Sequence, residues 1–406
     1  MILPFSHLKS DSLYIEKLLL LKLSCFPFNE ILKDEINELS KLVKDWDKFF
    51  YMVKINSVGI LCNRNINILQ DDKIVEQAKL YFEKEILRIK YKNTLKLHIM
   101  KEVLEVLKNK HIDFIMLKGF QFIMRYYGVC DVRDIGDIDL LMRKGDCQRA
   151  TALFRELPYD EIKMPYVHHT MFFSKKFKIQ IEFHNDIISP PHCFKYDLDD
   201  FFTNTIIYKD EDFEFEVLND LYELYLILLS TLFSHSFMPF RGRNIIDLYA
   251  LLNKLNQMNK WEEIINKTKQ IGCFNYLIVS VKLCEDLFNY KIPDIFKQYF
   301  NRKKFQNKYE LFTSFLFHYI EYYQDKKHRK NVALMQIQLA DTKMDSLKLF
   351  YHYIFLPKDY IRYSREKLKV PLFIFYLLRF VMLPYQFFYK SGYSIWINLK
   401  RRIKRK

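Results

Sequence analysis

Residues 133–141 read Arg133-Asp134-Ile135-Gly136-Asp137-Ile138-Asp139-Leu140-Leu141, and the reading of the whole chain turns on them. An Asp-x-Asp pair follows a glycine and runs into apolar residues. Side chains on a strand alternate between faces, so Asp137 and Asp139 are expected on the same one. Two carboxylates side by side repel unless a cation holds them. The chain has 8 glycines in 406 residues, and four of them (Gly119, Gly128, Gly136 and Gly145) cluster here. Glycine serves where the backbone turns sharply or something approaches closely. Metal-dependent chemistry is therefore expected within residues 118–182.

Working outward, residues 111–117 form a short apolar run that stops at Lys118-Gly119, which predicts a buried strand and a tight turn. Residues 120–127 have helical spacing and end at Gly128. A second strand is expected over 137–142, a helix over 148–157 closed by Pro158, and further strands at 172–173, 178–184 and 212–217. Helices are expected over 10–55 and 72–109, and again from 218 to about 300, from the recurrence of apolar residues at helical spacing.

The chemistry follows from residue types. Mg²⁺ takes hard oxygen ligands, commonly one or two carboxylates plus substrate phosphates. Two-metal transfer chemistry calls for another carboxylate on a neighbouring strand. Glu182 is the best candidate, and His184 shares its face. Lys118 and Gly119 open a helix whose free amides suit a phosphate. Arg133 can reach the same anion, and Gly136 turns the chain beside it. His168 and His169 have no clear partner spacing and read as ordinary polar residues.

Composition narrows the class. Half of the residues are hydrophobic, enough for a large core, and the length suggests two or three units. The seven cysteines are scattered, odd in number and lack a Cys-x-x-Cys pair. That argues against a disulfide framework or a zinc ribbon and for a reducing, cytoplasmic setting. No basic region followed by an apolar run opens the chain, so no secretory signal is expected. The net charge of +15 is not spread evenly: residues 301–406 carry 23 Lys and Arg against 7 Asp and Glu, whereas residues 1–300 carry 41 against 42. A basic tail on a neutral body points to a localised anionic partner. Residues 370–389 are apolar but interrupted by Pro371, Arg379, Pro384 and Gln386, and a basic cluster follows at 400–406. An arginine at mid-membrane costs roughly 2.5 kcal/mol or more. The segment 366–406 is thus expected to lie on an anionic membrane surface, at the inner face, or to pack on its own domain, rather than to span. Nucleic acid is the less favoured partner for so apolar a segment.

The stretches Leu117-Lys118-Gly119, Tyr127-Gly128, Arg133, Gly136-Asp137-Ile138-Asp139-Leu140-Leu141 and Ile181-Glu182-Phe183-His184, with a later His235 and Arg243-Asn244-Ile245-Ile246-Asp247, resemble the uncharacterised nucleotidyltransferases of the polymerase-beta-like superfamily. The resemblance spans roughly residues 40–260. It implies an α+β fold, a mixed sheet with large helical N- and C-terminal parts. The expected organisation is a helical region over 1–108, a nucleotidyltransferase core over 109–217, a helical region over 218–335 and a basic apolar tail over 336–406. The implied activity is transfer of a nucleoside monophosphate from a nucleoside triphosphate to an unknown acceptor (small molecule, sugar or lipid-linked glycan). Asp137, Asp139 and Glu182 would hold Mg²⁺ or Mn²⁺, with His184 beside the acceptor and Lys118, Gly119, Arg133 and Gly136 on the nucleotide side. The superfamily usually has Gly-Ser after the first strand. Here the position reads Lys118-Gly119 followed by Phe120, so Lys118 is expected to replace the serine's grip on the triphosphate. The alternative is a non-catalytic module of the same fold that binds a nucleotide or anion on membrane or RNA.

Overall fold

The computed structural model describes residues 4–128, 132–162, 168–188, 192–231, 242–322, 332–355 and 371. His235 and the apolar and basic parts of the tail lie outside the described residues. Among the described residues no helix is long and apolar enough to cross a membrane.

At the centre is a seven-stranded mixed sheet. Its strands are β1 (Ile115–Leu117), β2 (Ile138–Leu141), β3 (Tyr159–Ile162), β4 (His169–Ser174), β5 (Gln180–His184), β6 (Thr205–Lys209) and β7 (Glu214–Leu218). They lie in the order β3-β4-β5-β2-β1-β7-β6. The inner pairs β2–β5 and β1–β7 are parallel, while β1–β2 and the outer pairs are antiparallel. The fold is thus α+β. Strands at 159–162 and 205–209 were not expected from the sequence. Both are edge strands, and Ile206 and Ile207 are exposed, so no burial pattern marks them. The helix expected over 148–157 begins earlier and runs Lys144–Glu156, because Gly145 and Asp146 fit a first turn.

Alternation sorts the strand residues into two layers. Met116, Ile138, Leu140, Ile181, Phe183, Phe215 and Val217 form a core with Ile99, Met100, Val103, Leu104 and Leu107 of the helix Asp72–Asn109 and with Ala150 and Phe154 of Lys144–Glu156. Ile115, Leu117 and Leu141 join a second, larger core. Helices from both ends of the chain build that core. Tyr14–Leu23 is buried around its full circumference, and its Leu18 to Leu21 have no exposed surface. Even Lys17 and Lys22 are inside, paired to Glu321 and Glu35 at 2.6 and 3.0 Å. The helices Gly242–Asn256, Phe274–Phe288 and Lys303–Tyr322 supply much of the rest. Residues 336–355, assigned to the tail in the sequence reading, include part of Val332–Leu339 and all of Lys343–Ile354, whose Leu339, Leu349 and Tyr353 are buried in the same core.

Candidate active site

β2 and β5 are parallel neighbours in a register that sets Asp139 opposite Glu182 and Leu141 opposite His184. Directly paired residues project from the same face of a sheet. Ile138 and Leu140 therefore enter the apolar core, while Asp139, Glu182 and His184 emerge together on the opposite face. β4 continues the row, with His169 opposite His184.

The contacts are short. His184 Nε2 lies 2.8 Å from Asp139 Oδ1 and 3.1 Å from Glu182 Oε2. Lys118 Nζ donates to Asp139 Oδ1 at 2.9 Å. Gln180 Nε2 donates to Glu182 Oε1 at 2.5 Å and to Asp137 Oδ2 at 3.3 Å. Asp139, Glu182 and His184 are buried, Lys118 is partly open to solvent, and Asp137 is exposed at the rim. Ligand atoms of Asp139, Glu182 and His184 all fall within 4.8 Å of one another, a set that can hold a metal ion. Asp137 flanks this set and is tied to it through Gln180.

Charge is distributed unevenly. Burial would raise the Asp139 carboxyl, but Lys118 and the His184 hydrogen bond overcome that and hold it below its ordinary range. Glu182 follows the same pattern: burial raises it, and the His184 hydrogen bond together with the charges of His184 and Lys118 brings it below its ordinary value. The Lys118 ammonium loses solvation, yet Asp139 and Glu182 keep it firmly protonated. Asp137 goes the other way. The poorly solvated surroundings, then the charges of Asp139 and Glu182, push it up to about 7. The site thus carries more negative charge than its own cations neutralise, and its acceptors are hard oxygens. That donor set fits a divalent cation.

The loop that carries Asp137 is fixed from three sides. Gly136 sits at φ +82° and turns the chain into β2. Asn93, on the long helix, donates to the Arg133 carbonyl and accepts from the Ile135 amide. Lys96 Nζ meets Asp134 at 2.6 Å, and burial of Asp134 is outweighed by Lys96 and Arg243, which hold its carboxyl low. A Cβ on Gly119 would come within 1.8 Å of the Ile135 carbonyl oxygen, so only glycine allows this approach of turn and loop. Lys118 itself has φ +53°, an uncommon conformation for a side-chain-bearing residue that costs about 1–3 kcal/mol.

Arg133 faces elsewhere. Its Nη2 is 2.5 Å from Asp247 Oδ2, and Tyr127 donates to the other oxygen of Asp247 at 2.7 Å. Its expected anion is, in this structure, Asp247 on the helix Gly242–Asn256. Four residues beside the site escaped the sequence reading. Gln180 was within reach, since it shares the strand face of Glu182. His169, Asn93 and Lys96 come close only through tertiary packing.

The family described as uncharacterised nucleotidyltransferase matches residues 43–289. The chain belongs to this nucleotidyltransferase family. The matched region holds the whole sheet, the acidic cluster and the Arg133–Asp247 pair. No curated protein and no solved structure matches the chain. Family membership carries a general role in nucleotidyl transfer and with it a nucleotide substrate.

Proposed function

We propose that this protein transfers a nucleoside monophosphate from a nucleoside triphosphate to an acceptor hydroxyl, using divalent cations held by Asp137, Asp139 and Glu182. One observation carries the reading: parallel strands bring Asp139 and Glu182 into register on one sheet face, with Asp137 two residues earlier on the same strand path. In the reaction the acceptor oxygen bonds to the α-phosphorus as the bond to pyrophosphate breaks. Bound cations would neutralise the triphosphate and ease ionisation of the acceptor hydroxyl. The chain's own groups do the rest. His184 Nε2 lies between Asp139 and Glu182, so its proton holds the two carboxylates in place. Lys118 offers a partly exposed ammonium beside them for a phosphate oxygen. Gly119 and Gly136 let backbone come close on that side, and Arg133, clamped to Asp247, holds the loop rather than the anion.

The test is pyrophosphate release from each nucleoside triphosphate with Mg²⁺ or Mn²⁺. Asp139→Asn is expected to lower it by at least about 10²-fold, the scale for losing one group that meets transition-state charge. Nucleotide binding with no turnover under any acceptor mixture would favour the non-catalytic module. Membrane docking through 366–406 belongs to the same proposal: liposome flotation should weaken on deletion of that segment.

A further inference from the structure

Beside the acidic cluster lies a group of imidazoles of which the proposed transfer uses only His184. His168 precedes β4, His169 is its first residue, and His184 is the last residue of β5, paired directly with His169. A ligand nitrogen from each of the three falls within 4.8 Å of the others. His168 Nε2 and His169 Nδ1 are 3.0 Å apart, and the His169 and His184 ring centres are 5.0 Å apart. His168 is partly exposed, whereas the side chain of His169 is only 7 % exposed.

The two nitrogens of His184 stand in different surroundings. Nε2 is shared by Asp139 and Glu182, whereas Nδ1 is buried without a hydrogen-bond partner. A neutral imidazole that donates Nε2–H to carboxylates keeps its lone pair on Nδ1. That is the carboxylate–histidine pattern by which proteins orient a metal-ligating imidazole. Imidazole nitrogen suits Zn²⁺ and other first-row transition ions, whereas Mg²⁺ prefers oxygen. We infer that His168, His169 and His184 form a second, nitrogen-rich site for a first-row transition ion of the Zn²⁺ type, with Asp139 and Glu182 orienting His184 from the acidic side. His184 then joins two unlike metal sites, an oxygen site and a nitrogen site, through its two ring nitrogens. Three protein ligands leave coordination positions open, as in sites that bind a further small ligand.

The full chain, stripped of metal, is titrated with Co²⁺ as an optical probe, and the Zn²⁺-loaded chain is examined by X-ray absorption. The expected result is one tight equivalent with visible Co²⁺ bands and about three imidazole nitrogens around Zn²⁺, since three protein ligands are proposed. His168→Ala and His169→Gln should each weaken Co²⁺ binding at least about tenfold, the least that even an outer partner of a metal ligand is worth. Asp160→Asn, outside both clusters, should leave Co²⁺ binding unchanged. Wild-type protein with only oxygen neighbours around Zn²⁺, or with no Co²⁺ bands, overturns the inference whether or not the histidine variants fold. So do folded histidine variants that bind as tightly as wild type. Nitrogen-ligated Co²⁺ in a chain that releases no pyrophosphate would uphold this site while removing the proposed transfer. Mg²⁺-dependent turnover without nitrogen-ligated metal would do the reverse.

Discussion

Arg133 and Asp139 lie on the same short stretch of chain, yet each sits in a buried ionic cluster of a different kind. Around Arg133 the charges balance. One guanidinium meets one carboxylate, both oxygens of Asp247 are used, and burial together with Asp247 holds the Tyr127 phenol far above its ordinary range, so it remains a donor. Around Asp139 they do not balance. Asp137, Asp139 and Glu182 face one ammonium, Lys118, and the imidazoles of His184 and His169, and poor solvation, then the charges of Asp139 and Glu182, raise the Asp137 carboxyl. A closed, neutral cluster resists change and serves as a clamp. A cluster with surplus negative charge at a solvent-facing rim is ready for a cation. Burial is common to both, so burial alone does not identify a site, whereas charge balance separates them.

The sharpest way to break this contrast is to remove one acid from each cluster. Asp247→Ala leaves the Arg133 guanidinium buried without its counter-ion. It is expected to cost about 3–5 kcal/mol, read as a lower urea midpoint at unchanged slope. Asp139→Asn should cost about 1–3 kcal/mol, because the bonds to Lys118 and His184 weaken and relief of Glu182 and Asp137 returns only part of that, while transfer is lost. Equal stability losses in the two variants would erase the distinction.

A smaller effect is expected at the hinge between the clusters. Gly119→Ala sets a methyl against the Ile135 carbonyl oxygen. Overpacking of this kind costs about 1–3 kcal/mol. Because the loop must move, pyrophosphate release should fall by roughly tenfold or more. A variant with wild-type stability and rate would show that the loop carrying Asp137 tolerates displacement.

The smallest effect tests the clamp's own surroundings. Glu223 is buried; although Arg125 and Gln121 favour its ionised form, burial prevails and pushes it up to about 7. The folded chain then binds more protons at this position than the unfolded chain between its ordinary value, near 4.5, and about 7. Stability falls as pH rises through that window. Glu223→Gln should flatten the decline and add on the order of 1–2 kcal/mol at pH 8. A denaturation series from pH 4 to 8 in which both proteins run parallel would remove Glu223 from this account.

Much of the site was legible because it is written locally. Asp-x-Asp after a glycine and Glu-x-His in an apolar run each specify a strand and a face. The long helix Asp72–Asn109 was equally legible, having neither Gly nor Pro and a sustained apolar stripe. The edge strands were not, because their identity lies in the hydrogen bonds they make to β4 and β7 rather than in their own burial. Arg133 was misleading for a related reason. A loop arginine beside an acidic motif looks available, and only the packing of Gly242–Asn256 gives it Asp247.

By itself the sequence determined which residues share a face, because alternation along a strand and periodicity along a helix are set by backbone geometry within a few residues. It also set the carboxylates of Asp137 and Asp139 two residues apart on one strand path. Tertiary structure alone decided that Glu182 stands opposite Asp139, that His169 joins His184, and that Arg133 is closed off while Lys118 stays open. Those outcomes depend on strand register and helix docking, which join residues distant in the chain and leave no mark on the local pattern.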